Sequence, residues 1–340
     1  MKLKRFERNP ILTPIPDSPW ESACVCNPAV WHENGRFTLL YRAGPNDDVH
    51  PIFLGMAEST DGFTFRRVSE KPVFGPSSDG FDAGCIEDPR LIKLGDTFYL
   101  TYAARIAPPG PYWKRTLPLN HYVPDYLKNG QTPNAVKWNL TRSGIAVTRD
   151  FRSWIRLGPI TDARYDDRDA ILFPGQVAGR FAMLHRPAAW TGPQYGCDHA
   201  SIWLSFSDDL LHWSEEHLLA QPQYEWESEK IGGSTPPIRT ERGWLVLYHG
   251  VDRSSVYRVG AMMLDLQDPR RILGRAREPI LEPEAKCEKE GLVKNVVFPC
   301  GNVVVNGTLF VYYGGADTVC CVATCKLDEL VDYVLSNPVK

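Results

Sequence analysis

The chain has 340 residues, 43% of them hydrophobic and 23% charged, with a formal net charge of −3. That balance is ordinary for a soluble globular protein and gives no global basic footprint for nucleic acid. Length alone allows one large domain or two average ones, and near-neutrality still leaves room for a local cationic pocket.

The opening stretch MKLKRFERNPILTP is basic but has no continuous apolar run of the kind a secretory leader needs. No segment approaches the roughly 18 apolar residues of a spanning helix, so no membrane is expected as a partner. The nine cysteines are odd in number, scattered from Cys24 to Cys325, and lack CxxC spacing. Cys24 and Cys26 alternate and Cys320 and Cys321 are adjacent, as buried strand residues do. Reduced structural thiols and a cytoplasmic location are expected.

In chain order, one pattern recurs five times: an alternating apolar segment, a polar turn with glycine, and an aromatic-rich strand. The copies span residues 29–44, 90–104, 171–187, 237–250 and 302–315. Asn34-Gly35, Gly95-Asp96, Gly179, Gly243 and Asn306-Gly307 sit where a tight hairpin needs positive φ. After the hairpins come a further strand and the phrases STDGFTF (59–65), TRDFRSW (148–154) and SDDLLHW (207–213), with LDLQDPRRIL (264–273) as a weaker copy. Each reads as a polar turn into an outer fourth strand. NPILTP (9–14), KPVFGP (71–76) and EPILEP (278–283) recur between units. Five units of four strands predict an all-β, five-bladed β-propeller filling residues 1–340 as a single domain. A pair of β-sandwiches or a β-helix would not explain the once-per-unit hairpin. Two segments depart from the repeat. Residues 105–140 form a long insertion rich in Pro, Tyr and Trp, expected to border a ligand or a subunit interface, so a homo-oligomer is one outcome. Leu327, Leu330, Val331, Val334 and Leu335 have helical spacing and predict a short C-terminal helix acting as a cap.

In a propeller, corresponding strand ends converge on a central tunnel. After the second hairpin strand the units read Tyr41-Arg42, Tyr102-Ala103, His185-Arg186, Tyr248-His249 and Tyr313-Gly314. Ahead of the first strand they read Asn27-Pro28, Glu87-Asp88-Pro89, Arg168-Asp169, Ser234-Thr235-Pro236 and Phe298-Pro299. Asp88 is either a turn residue before a strand or a carboxyl group suited to general acid work on a glycosidic bond. Alternation along an extended segment predicts that Glu87 points away when Asp88 faces the axis. Arg168, Arg186, Lys230 and His249, with Arg42 nearby, are read as cations that converge without equal carboxylates and so call for an anionic ligand. Arginine forks suit phosphate, and the glycines after Lys230 allow close backbone approach.

The segments IEDPRL (86–91), RDAILFP (168–174), LHRP (184–187), KIGGSTPPIRTERGWLVLYHG (230–250) and YYGGAD (312–317) resemble those of glycoside hydrolase family 130, in order and over nearly the whole chain. The resemblance implies a five-bladed propeller that carries out inverting phosphorolysis of β-mannosides. It implies Asp88 as the catalytic acid, passing a proton through the 3-hydroxyl of the mannosyl unit. Arg168, Arg186, Lys230 and His249 would hold inorganic phosphate, and Asn27, Arg42 and Asp317 the mannosyl unit. Phosphate is already an anion, so the basic set replaces the second carboxylate that an inverting hydrolase uses to activate water. The product would be α-mannose 1-phosphate, with phosphate as co-substrate and no cofactor or metal. Rival readings are a β-mannosidase on the same propeller, a propeller glycosidase with two or three axial carboxylates, and a non-catalytic binding propeller. Tyr112, Trp113, Tyr122, Tyr126 and Trp190 are candidates either for stacking on a sugar ring or for loop core. Linkage (β-1,4, β-1,2 or β-1,3) and acceptor sugar stay open.

Overall fold

The computed structural model describes residues 1–114 and 138–339; Tyr122 and Tyr126 lie outside them. After a two-residue strand β1 (Lys4–Arg5), blade one consists of β2 (Cys24–Glu33), β3 (Arg36–Gly44), β4 (Phe53–Ser59) and β5 (Arg66–Arg67). Blade two is β6 (Cys85–Leu94), β7 (Thr97–Arg105), β8 (Arg142–Thr148) and β9 (Ile155–Pro159). Blade three is β10 (Asp167–Leu172), β11 (Phe181–Pro187), β12 (Ile202–Ser207) and β13 (Ser214–Ala220). In blade four the inner strand is split into β14 (Lys230–Gly233) and β15 (Ile238–Thr240), which both pair β16 (Gly243–Val251), followed by β17 (Tyr257–Leu264) and β18 (Ile272–Arg275). Blade five has β19 (Val297–Val305), β20 (Thr308–Gly315) and β21 (Val319–Lys326), and β1 supplies its fourth strand, pairing Lys4 with Thr324 and Arg5 with Ala323. The ring is therefore closed by the N-terminal strand, a step that the repeat pattern did not reveal. All five sheets are antiparallel, as the hairpin turns require.

The recurring phrases acquire physical roles. Ser59, Thr148 and Ser207 accept the backbone N–H of Gly62, Phe151 and Leu210, each at 3.0 Å. The carboxylates of Asp61, Asp150 and Asp209 accept two further N–H groups each from the same turn. Side-chain oxygens thus satisfy the turn's backbone and launch the outer strand. Leu12, Phe74 and Leu281, from the Pro-bounded phrases, form bridges to the third strand of a blade at Cys320, Leu54 and Val259.

The aromatic at the end of each second strand does not line the tunnel. Tyr41, Tyr102, Tyr248 and Tyr313 are buried and donate to Glu21, Asp82, Glu227 and Glu288 at 2.7–3.1 Å. Each of those carboxylates also receives an arginine from the blade's outermost strand: Arg67, Arg156, Arg275 and Arg5. Four blades are thus tied from second to fourth strand by a tyrosine–carboxylate–arginine clamp. Blade three inverts it. His185 bonds Asp167 at 2.9 Å and Glu216 of the outer strand at 2.8 Å. Burial works against the imidazolium, but Asp167 and then Glu216 overcome it and raise His185 to about 10. Removing one partner of a buried pair strands the other. Glu227→Ala, which leaves Arg275 without its carboxylate, is expected to lower unfolding stability by about 3–5 kcal/mol, read as the shift of a reversible denaturant melt.

The C-terminal helix is present. After a single turn α1 (Lys286–Lys289), helix α2 (Leu327–Leu335) buries Leu330, Val331 and Val334 in the core shared by blades four and five. All nine cysteines are free thiols, and seven are buried. No helix among the described residues is long and apolar enough to cross a membrane.

Candidate active site

One backbone device, repeated on three blades, builds the pocket. The first strands of blades one, two and three are bulged between Cys26 and Ala29, Glu87 and Arg90, and Arg168 and Ile171. At the bulge Asn27, Asp88 and Asp169 adopt φ of 48°, 50° and 57°. Asparagine and aspartate tolerate this left-handed region better than other side-chain-bearing residues, and such positions cluster at functional sites. Asp88 is therefore inside a strand rather than in a turn before it. The bulge also breaks the two-residue alternation, so Glu87 and Asp88 both line the cavity. The expectation that Glu87 points away is wrong for this reason.

The cavity has a volume of about 450 Å³. It gathers all eight residues singled out in the sequence: Asn27, Arg42, Asp88, Arg168, Arg186, Lys230, His249 and Asp317. It also brings in Glu87, Arg105, Tyr112, Asp166, Asp169, Tyr257 and Phe298, among others. Of the paired positions after the second strands, Arg42, Arg186 and His249 enter the cavity, while their preceding neighbours go to the clamps. Glycine makes room at two places. A Cβ on Gly314 would come within 1.9 Å of Asn27 Oδ1. One on Gly232 would lie 2.5 Å from Asp169 Oδ2, 2.5 Å from His249 Cε1 and 2.8 Å from Arg186 Nε. Of the two glycines after Lys230, Gly232 thus makes room for pocket side chains, while Gly233 packs against Ile171.

Two clusters share the cavity. In the first, Asp88 Oδ1 accepts Asn27 Nδ2 at 2.7 Å and Arg42 Nη1 at 3.2 Å. Both bonds fall on one oxygen, and Oδ2 has no protein donor among the described residues. Arg42 Nη2 donates to Tyr112 Oη at 2.8 Å, and that hydroxyl donates to Asp317 Oδ2 at 3.3 Å. Burial, opposed by Arg42 and assisted by Asp88, raises Asp317 to about 6.

The second cluster is cationic but not without carboxylates. Arg168 places Nε and Nη2 on Asp166 at 2.7 and 3.0 Å. Arg186 places Nε on Asp169 at 2.7 Å, and Arg90 reaches the other oxygen of Asp169 at 3.2 Å. Arg168 and Arg186 face each other directly across β10 and β11. Like charges so placed repel, and Asp166 and Asp169 offset that repulsion. Five carboxylates and five Arg or Lys side chains line the cavity, so the expected excess of positive charge is corrected. What distinguishes the cluster is where charge is left unspent. Neither terminal nitrogen of Arg186 has a protein partner among the described residues. Lys230 has no carboxylate within 4.0 Å among them and lies over the Tyr257 ring, 5.3 Å from its centroid. His249 is also corrected: burial lowers it to about 3 against the help of Asp169, with Arg186 and Lys230 acting in the same direction as burial, so it is a neutral imidazole. It contributes a hydrogen bond, not a charge.

The remaining carboxylates are held ionised by these partners. Burial acts to raise Glu87, but Arg42 and then Arg105 bring it down to about 2. Asp169 and Asp166 are likewise held below the usual carboxylate range against burial, chiefly by Arg186 and Arg168. Asp166 and Arg90 were missed in the sequence. The alternating charges of YDDRDA (165–170) were the available signal for Asp166. Trp190 stacks on Tyr195 and packs edge-on against Trp203; it is not a cavity-lining residue. No group of three or more potential metal ligands occurs among the described residues.

A five-bladed propeller with a carboxyl group facing a partly neutralised cationic cradle at its hub defines a carbohydrate-active class of site. The chain belongs to glycoside hydrolase family 130: a family profile described as β-1,4-mannooligosaccharide phosphorylase matches residues 2–111 and 132–336. It is 37% identical over 336 residues to a 1,2-β-oligomannan phosphorylase of Thermoanaerobacter sp. (strain X514), covering 97% of this chain and 99% of that one. It is 29% identical to a β-1,4-mannooligosaccharide phosphorylase of Ruminococcus albus, covering 98% and 91%. The structure of a β-1,2-mannobiose phosphorylase from Listeria innocua, in complex with β-1,2-mannobiose, superposes with a TM-score of 0.81 at 26% identity, covering 99% of this chain and 100% of that one.

Proposed function

We propose that the chain is an inverting glycoside phosphorylase that transfers a β-linked mannosyl unit to inorganic phosphate, releasing α-mannose 1-phosphate and a sugar shortened by one unit. The observation that carries this reading is the asymmetry of the cavity. On one side Asp88 has an oxygen free to hold a proton. On the other, Lys230 and the ends of Arg186 offer donors with no protein acceptor among the described residues, beside the neutral His249.

In this reading a phosphate oxygen attacks the anomeric carbon while the bond to the glycosidic oxygen breaks, and the departing oxygen takes the proton of Asp88 through the sugar's 3-hydroxyl. Phosphate binds between Arg168, Arg186, Lys230 and His249, where the cations neutralise it and fix its line of attack. Asn27, Arg42 and Asp317 hold the mannosyl unit. The proton that hydrogen phosphate carries, released once the ester has formed, returns to Asp88, so bonds and protons balance with phosphate as the only co-substrate. Hydrolysis would instead need a carboxylate across from Asp88 able to accept a proton from water near neutral pH. On the cationic side Asp166 and Asp169 are each tied to an arginine and held below the usual carboxylate range, as is Glu87 beside Arg42. Asp317, raised to about 6, belongs to the cluster that holds Asp88 and not to the side opposite it.

The relatives at 37%, 33% and 31% identity are named for β-1,2-linked substrates, against names for 4-linked mannosides at 34% and 29%. β-1,2-Mannobiose and longer β-1,2-oligomannosides are therefore the first substrates to try. Sugar release from β-1,2-, β-1,3- and β-1,4-linked mannosides, with and without phosphate, tests the reading. Phosphate-dependent release is expected, and equal release without phosphate would replace it with the hydrolase. The free thiols agree with a cytoplasmic location.

Asp317 gives a pH dependence. Its raised value means that it takes up a proton as pH falls through about 6 and loses the ability to accept at that oxygen. Mannoside binding, measured by calorimetry without phosphate, is expected to weaken below pH 6. Asp317→Asn is expected to bind more weakly at neutral pH and to lose that pH dependence.

A further inference from the structure

Tyr112 is the first residue beyond the matched range 2–111 of the family profile, at the edge of the unmatched stretch 112–131. It nevertheless lines the cavity. Its hydroxyl joins two residues that sit on different blades: it accepts Arg42 Nη2 at 2.8 Å and donates to Asp317 Oδ2 at 3.3 Å. Its ring lies beneath the same guanidinium, with Arg42 Cζ 5.6 Å from the centroid. The segment that carries it is anchored to blade one. Gly110 N–H donates to Val49 O at 3.1 Å, and Trp113 packs edge-on against His50 with centroids 4.6 Å apart.

The consequence for Arg42 follows from the geometry of its fork. One terminal nitrogen is on Asp88 and the other on Tyr112, so the guanidinium cannot turn both nitrogens onto one carboxylate. Without the hydroxyl, Arg42 is free to pair bidentately with Asp88 or Glu87, since Glu87 lies only 3.7 Å from Nη1. Asp317 would lose its fixed donor at the same time. We infer that Tyr112 is a positioning residue of the sugar subsite, supplied from outside the matched family core, which holds Arg42 and Asp317 in the arrangement that receives the mannosyl unit. The inference rests on the proposed assignment of Arg42 and Asp317 to the sugar.

Tyr112→Phe removes the hydroxyl and keeps the ring. In the purified full chain, the KM for β-1,2-mannobiose is expected to rise about tenfold, with kcat changing less and the KM for phosphate within about twofold of wild type. An unchanged melting temperature shows that the fold is intact. A purely structural tyrosine would lower stability or affect both substrates together, and that result overturns the inference. Wild-type values for both substrates in Tyr112→Phe also overturn it, while leaving the phosphorylase reading in place. Absence of phosphate-dependent turnover in the wild type against every mannoside tested overturns that reading and the inference with it.

Discussion

Asp88→Asn is expected to lower kcat/KM for phosphorolysis of a mannobiose by about 10³-fold, the middle of the range for loss of a general acid. The substitution is close to isosteric. Its carbonyl can still accept the bonds from Asn27 and Arg42, so binding of the mannoside should survive. What is lost is the proton for the departing oxygen. A dinitrophenyl β-mannoside, whose leaving group departs as a stable anion, needs no such proton. Its turnover with phosphate is expected to fall far less than that of mannobiose. If both substrates lost activity equally, Asp88 would be acting through structure and the assignment would fail.

Lys230→Met is expected to raise the KM for phosphate about 100-fold, equivalent to about 2.7 kcal/mol, with little change in stability. The second half of that statement separates it from the arginines. Arg168 and Arg186 are each tied to a carboxylate, so removing Arg168 takes the arginine from Asp166 and removing Arg186 leaves Asp169 to Arg90 alone, and either confounds phosphate binding with folding. Lys230 leaves no such orphan among the described residues, and methionine retains most of its contact with Tyr257. Mannoside binding in the absence of phosphate should be unchanged, because Asn27, Arg42 and Asp317 belong to the other cluster. Initial rates over a phosphate series, with a thermal melt in parallel, decide it. An unchanged phosphate KM would remove the lysine from the cradle.

The propeller was legible because its repeats mark their own turns. Asn34-Gly35 and Asn306-Gly307 fix hairpins, and the Ser/Thr-x-Asp phrases fix the step into the outer strand through bonds within five or six residues. The closure by Lys4–Arg5 was not, since two residues carry no pattern and their partner is more than 300 positions away. At the site, the eight chosen side chains do converge. What alternation could not deliver was the bulge at Asn27, Asp88 and Asp169, where a positive φ turns neighbouring residues to one face. Charge state was illegible for a related reason. His249 looks like any histidine in a string of letters, and its burial beside Arg186 and Lys230 is what keeps it from gaining a charge as pH falls through the usual histidine range. The second-strand tyrosines looked like pocket residues because they share a register with Arg42, Arg186 and His249. They face the other way, into the clamps with Glu21, Asp82, Glu227 and Glu288.

The most direct test of the phosphorylase assignment is nuclear magnetic resonance of the reaction of β-1,2-mannobiose with inorganic phosphate, followed from the first minutes. The cradle opposite Asp88 predicts that α-mannose 1-phosphate appears as the initial product, in equal amount to the mannose released from the reducing end. Two molecules of free mannose with no sugar phosphate, at a rate indifferent to phosphate, would contradict it.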